Sequence, residues 1–136
     1  MEGLKYRYKL RPEIPVMFRY QNNSWYTTAI LDSGSDITYL PFDSAKMILK
    51  MPLRSQPETI DAAGGKDFRG IPQKVTLGVL NEKGEEVFTF SGINVYVADR
   101  HYDNDHTVLG TESFFSKFDV MISAKRKELV LTPVPV

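Results

Sequence analysis

Short runs in which apolar and polar residues alternate, each closed by a turn signal, follow one another from Tyr6 to Leu131. A period of two favours strands over helices along nearly the whole chain. Tyr6, Tyr8 and Leu10 alternate with Arg7 and Lys9, and Ile14, Val16, Phe18 and Tyr20 alternate with Met17 and Arg19. Gln21-Asn22-Asn23-Ser24 supplies turn residues before the aromatic and β-branched run Trp25 to Leu31. Ile37-Thr38-Tyr39-Leu40 reads as a short strand stopped by Pro41. Glu58 to Asp61 and Asp67 to Ile71 flank Ala62-Ala63-Gly64-Gly65-Lys66, a hairpin pattern with two adjacent glycines at its tip. A second hairpin joins Val75 to Leu80 with Glu86 to Phe90 through Asn81-Glu82-Lys83-Gly84, and Ile93 to Val97 alternates again. Phe118 to Ile122 and Glu128 to Leu131 close the chain, with Lys125-Arg126-Lys127 as a solvated turn between them.

Helical spacing is confined to two places. Phe42, Ala45 and Leu49 share a face in a stretch of good helix formers with Pro52 beyond it, and Glu112 to Lys117 reads as another short helix. Many short strands with two short helices predict an all-β fold, a closed barrel or a folded sandwich. With 136 residues and neither repeat nor internal linker, residues 1–136 are expected to form one domain.

Lys and Arg total 17 against 17 Asp and Glu, so the net charge of +0 carries no electrostatic footprint for nucleic acid or an anionic membrane. The chain has no cysteine, which excludes disulfides, a thiolate nucleophile and a Cys-type zinc site. The amino-terminal residues Met1 to Lys9 intersperse charges where a signal peptide needs an apolar core, and no run approaches the ~20 apolar residues of a membrane span. A cytoplasmic chain with no membrane contact is expected.

The candidate for chemistry is Asp32-Ser33-Gly34, which occurs once, at the end of the apolar run Ala29-Ile30-Leu31. A strand that delivers an aspartate into a tight Ser-Gly turn is expected to leave it poorly solvated. Peptide cleavage by carboxylates takes two of them sharing one proton, because like charges about 3 Å apart cannot both ionise. With one copy per chain, the second carboxylate has to come from another chain. Ser35-Asp36 follows, then Ile37 to Pro41 resume burial. Later come Val108-Leu109-Gly110, a short helix carrying Phe114-Phe115, and Phe118-Asp119-Val120. Together with the glycine-tipped hairpin, these pieces resemble the retropepsin-like aspartic proteases, single-lobe homodimeric relatives of pepsin, over roughly Trp25 to Leu131.

The resemblance implies a closed, barrel-like retropepsin fold with a β-hairpin flap, and an aspartic endopeptidase that needs no cofactor and no metal. Asp32 would be the catalytic carboxylate, one from each subunit of a homodimer acting on a peptide or protein. Ser33 would brace the paired loops, and Gly34 would let the substrate backbone approach. Ala63, Gly64 and Gly65 would form the flap tip over the substrate, and Val108-Leu109-Gly110 would run beneath the catalytic loop and lock it. Two departures stand out. Viral relatives usually carry arginine after the glycine matching Gly110, paired with the aspartate matching Asp36, whereas here Thr111-Glu112 follow. Asp36 then needs Arg7, Arg11 or the amide end of the helix near Glu112 as partner, or is free to bind a substrate amide. The tail Thr132-Pro133-Val134-Pro135-Val136 also carries prolines where family dimers interleave their termini, which implies either an interface resting on Glu128 to Thr132 or a dimer weaker than in viral enzymes.

Rival chemistry is thinner. His101, Asp103, Asp105 and His106 lie close in sequence, but no spacing pins them to one face, and a polar loop bordering the substrate cleft is the simpler reading. A Ser–His–Asp hydrolase lacks the Gly-x-Ser-x-Gly elbow, and Gly64-Gly65 lacks the pattern and helix of a phosphate loop. The alternative that survives is a catalytically weak dimerising and peptide-binding module on the same fold.

Overall fold

A computed structural model describes residues 3–61, 67–103 and 106–135. Among the described residues ten strands run in chain order: β1 Leu4–Arg7, β2 Glu13–Tyr20, β3 Asn23–Leu31, β4 Tyr39–Leu40, β5 Glu58–Asp61, β6 Asp67–Leu80, β7 Glu86–Ala98, β8 Val108–Leu109, β9 Phe118–Ser123 and β10 Glu128–Pro133. Short helical turns occupy Ser44–Ile48 and Thr111–Phe115. In both, backbone bonds reach five residues back, from Leu49 to Ser44 and from Ser116 to Thr111. The expected helix over Glu112 to Lys117 therefore begins and ends earlier.

The larger sheet runs β2-β3-β8-β4-β7-β6-β5, and β2 also pairs with β6, so six of its strands close into a barrel. Closure leaves β5 outside the ring, paired with β6 alone. Inward positions are those of the expected alternation: Val16 and Phe18 of β2, Leu77 and Val79 of β6, and Val95 and Val97 of β7 are all buried. Met17 is buried as well, against the alternation. It stands opposite Gly78 on β6, where the missing side chain leaves room for the Met17 methyl group and the Glu86 carboxylate.

Two expected strands, Asp67 to Ile71 and Val75 to Leu80, are one continuous β6, and the same holds for β7. The apparent break in β7 is a bulge between the pairs Val75–Ile93 and Leu77–Phe90. Gly92 adopts φ 67° there, a conformation that disfavours side chains and bends the strand without ending it.

A second sheet, β1-β10-β9, packs against the barrel. Phe118 of β9 makes edge contacts with Phe88 and Phe90 of β7 at 5.1 and 5.7 Å and stacks on Phe114 at 5.0 Å. Each such pair adds about 0.5–1.5 kcal/mol beyond area burial. Tyr6 of β1 donates its phenol to the Leu80 carbonyl at 2.5 Å, joining the sheets at another point. Leu10, expected on the buried face of the first strand, lies beyond β1 and is 96% exposed.

The expected interface segment, Glu128 to Thr132, lies in the smaller sheet of its own chain. From Glu128 to Leu131, β10 pairs with β1 on one side and β9 on the other, and Thr132 pairs with Asp119. Both strand edges from Glu128 to Leu131 are thus paired inside the chain, and Thr132 is paired on one edge.

Candidate active site

β3 carries the chain to the site. Ala29 and Leu31 point into the core, while β8 runs parallel beside them with Ile30 opposite Val108 and Leu31 opposite Leu109. The ladder continues one residue further, because the Asp32 amide donates to the Leu109 carbonyl at 3.1 Å. A tight turn then reverses the chain. The Ser35 amide donates to the Asp32 carbonyl at 3.1 Å, and the Gly34 amide donates to Asp32 Oδ1 at 2.9 Å. The carboxylate is thus oriented by a backbone N–H from its own loop.

Asp32, Ser33 and Gly34 are all exposed in the protomer, so the expectation of a poorly solvated Asp32 fails for one chain. The apolar strand that delivers the residue stops at Leu31, and the turn lifts the carboxylate off the barrel end. The Ser33 hydroxyl has no partner among the described residues.

Behind this turn the chain is pinned at successive positions. The Thr111 amide donates to the Ser35 carbonyl at 2.8 Å and the Glu112 amide to the Asp36 carbonyl at 3.2 Å. Ser35 Oγ donates to the Ile37 carbonyl at 2.9 Å, and buried Thr38 accepts the Gly110 amide on Oγ1 at 3.2 Å. Gly110 packs so closely that a Cβ there would overlap the Ile37 backbone. Val108-Leu109-Gly110 therefore does run beneath the loop.

Neither expected arginine reaches Asp36. The Arg11 guanidinium lies near Glu13 at 3.8 Å and His106 Nδ1 at 3.3 Å. Arg7 sits in β1, in the other sheet. The second helical turn meets the Asp36 backbone carbonyl, not its carboxylate. That carboxylate has no partner among the described residues, and it faces a cavity of about 260 Å³. Gly34 to Ile37 form one wall of the cavity, and Glu58, Thr59, Ile60 and Tyr96 form the other. Thr38, Glu58 and Tyr96 were not singled out by sequence. Their only signals were a polar residue inside an apolar run and the alternation of β5 and β7.

Ala63, Gly64 and Gly65, expected at the flap tip, lie outside the described residues. The hairpin below them is present, with β5 and β6 paired from Glu58–Gly70 to Asp61–Asp67.

The loop after β7 lines a different, wider groove of about 440 Å³ with Trp25, Phe42 and Asp43. His101 Nδ1 lies 2.7 Å from Asp43 Oδ2, and its Nε2 lies 3.5 Å from Asp103 Oδ1. The Asp43 carboxylate beside it raises the His101 pKa. His106 turns instead to Arg11, and Asp105 lies outside the described residues. Among the described residues, no three potential ligands converge on a metal-sized site.

No family model matches the chain, nor does any curated protein. Solved structures do. A retropepsin-like aspartic protease from Rickettsia conorii superposes with a TM-score of 0.62 at 15% identity, covering 95% of this chain and 89% of that one. EIAV protease, complexed with the inhibitor HBY-793, superposes with a TM-score of 0.53 at 21% identity, covering 82% of this chain and 91% of that one. The closed six-stranded barrel, the parallel β3–β8 pair and the superpositions together establish that this chain has the retropepsin fold.

Proposed function

We propose that the chain is one subunit of a homodimeric aspartic endopeptidase in which the two Asp32 carboxylates form the catalytic pair. The observation that carries this reading is the Asp32 turn itself. An exposed carboxylate is aimed by the Gly34 amide from a loop fastened to β8 and the second helical turn, on a fold shared with aspartic proteases. A rigid frame around an exposed carboxylate suits a group that has to meet its twin across a two-fold axis.

In the dimer one Asp32 stays ionised and takes a proton from a bound water as the water attacks the scissile carbonyl. Its protonated partner donates to the carbonyl oxygen, and the roles exchange as the tetrahedral intermediate collapses to acid and amine. Gly34, without a side chain, admits the substrate backbone next to the pair. Ser33 braces one loop against the other, and the β5–β6 hairpin, with Ala63, Gly64 and Gly65 at its tip, closes over the peptide. The chemistry requires no metal or organic cofactor. A cytoplasmic site of action belongs to the same proposal.

The test is cleavage of a peptide library by the full chain, mapped by mass spectrometry beside Asp32→Asn. Asn keeps the size and hydrogen bonding of the loop but cannot pass a proton. Cleavage by the wild type and none by a folded Asp32→Asn is the expected result; equal rates would remove Asp32 from the mechanism. Peptide binding without cleavage by either protein would favour the dimerising binding module.

A further inference from the structure

Asp36 and Glu58 face one cavity from opposite walls, and among the described residues no Lys, Arg or His lines it. The volume of about 260 Å³ gives room for a single long side chain. Gly70, on the strand between β5 and β7, is what lets the far wall close. A Cβ there would strike the Ile60 side chain and come within 3.0 Å of Tyr96 Cβ. Ile60 and Tyr96 therefore meet across β6 and present an apolar surface, with Ile37 on the near side.

The polar groups at this cavity are arranged to accept. The Tyr96 phenol donates to Glu58 Oε2 at 2.9 Å, which fixes that carboxylate, and no other donor among the described residues uses its remaining lone pairs. The same bond raises the Tyr96 pKa, with the Glu58 carboxylate as the largest cause, so the phenol remains a donor. The Asp36 carboxylate is unpartnered among the described residues. An apolar group entering here would give the two carboxylates no donor and a neutral amide or hydroxyl only uncharged ones, whereas a cation would lay its stem on the isoleucines and give both carboxylates charge-assisted donors.

We propose that this cavity is a specificity subsite for a Lys or Arg side chain of the peptide substrate, held by Asp36 and Glu58. The proposal rests on the endopeptidase reading above. Because Gly34 belongs both to the cavity wall and to the Asp32 turn, the basic residue recognised lies close to the scissile bond. Two carboxylates are too few donors for a resident metal ion, which favours the organic cation.

The experiment compares paired peptides, identical except for Lys, Arg or Ala at one position scanned on either side of a cleaved bond, with the full chain as enzyme. At one position kcat/KM should be about tenfold or more higher for Lys or Arg than for Ala. In Asp36→Asn/Glu58→Gln that ratio should fall to near one, whatever happens to the absolute rate. Glu58→Lys provides an independent variant, which should invert the preference toward Asp or Glu. Cleavage with no basic preference at any position, or a preference unchanged in these variants, overturns the proposal. If no peptide is cut, the endopeptidase reading fails by itself. The cavity is then judged by fluorescence anisotropy of labelled Lys and Ala peptides: about tenfold tighter binding of the Lys peptide supports it, and equal binding overturns it.

Discussion

Gly110 and Ile37 are packed backbone to backbone: the position a Cβ would take at Gly110 is already filled by the Ile37 carbonyl group. The neighbour is main chain and cannot rotate away. Gly110→Ala should therefore push the segment after Asp32 off β8, at a cost of about 1–3 kcal/mol. A thermal melt should show a Tm lower by roughly 3–10 °C, and peptide cleavage should fall further than stability alone explains. An unchanged melt would mean that the two segments do not touch.

Thr38 tests the same junction from the polar side. Its hydroxyl accepts the Gly110 amide, and the residue is fully buried. Thr38→Val keeps the shape and orphans a buried N–H, for an expected loss of about 1–3 kcal/mol, while Thr38→Ser should recover much of it. Denaturant unfolding of the three proteins measures the difference; equal midpoints would show that water or another group satisfies Gly110.

Tyr6 sets an alkaline limit. Burial, followed by the Glu82 carboxylate, pushes its phenol above the ordinary 10.0. When an acid's folded-state pKa is raised, the folded chain holds its proton after the unfolded chain has lost it. The stabilisation is thus complete below about pH 10 and is lost as pH rises toward the folded-state value. Of the seven tyrosines, Tyr6 should ionise only as the protein unfolds, visible as a late step in ultraviolet titration. Tyr6→Phe should lose the bond to Leu80 and flatten the fall of stability above pH 10; an equally steep fall in the variant would assign it to other groups.

Activity per subunit should drop on dilution as dimers part. Full activity in protein that sediments as a monomer at assay concentration would contradict the shared site. Deleting Glu128 to Val136 should do more than weaken a dimer. It removes Leu129 and Leu131 from the core along with the central strand of the smaller sheet, so cooperative unfolding should be lost.

The period-two patterning carried most of the fold, because inward residues such as Val16, Phe18, Val95 and Val97 had to be apolar whichever strands they paired with. It misread what depends on a neighbour. Met17 is covered only because Gly78 faces it, and the long β7 looked broken because a bulge glycine resembles a turn glycine. At the site, the Asp-Ser-Gly motif and Val108-Leu109-Gly110 were visible as local signals. The exposure of Asp32 was not, since it depends on how far the turn stands above the barrel. Glu58 and Tyr96 were hidden for a similar reason: they face Asp36 across the cavity only through the β5-β6-β7 order and the missing side chain of Gly70.

The pairing of β1 with β10 has a consequence for how the molecule comes into being. Leu4 meets Leu131 and Arg7 meets Glu128, so the smaller sheet joins residues from near the two ends of the described chain. During synthesis β1 emerges early and has nothing to pair with until β10 leaves the ribosome, and contacts so distant in sequence slow folding. Until then Tyr6, which ends up buried, is held in no sheet, and the nascent chain carries an unsatisfied strand. Chaperone dependence should therefore track the delay before β10 appears, so that a translational pause placed just ahead of Glu128 lowers the yield of native protein more than one placed ahead of β2.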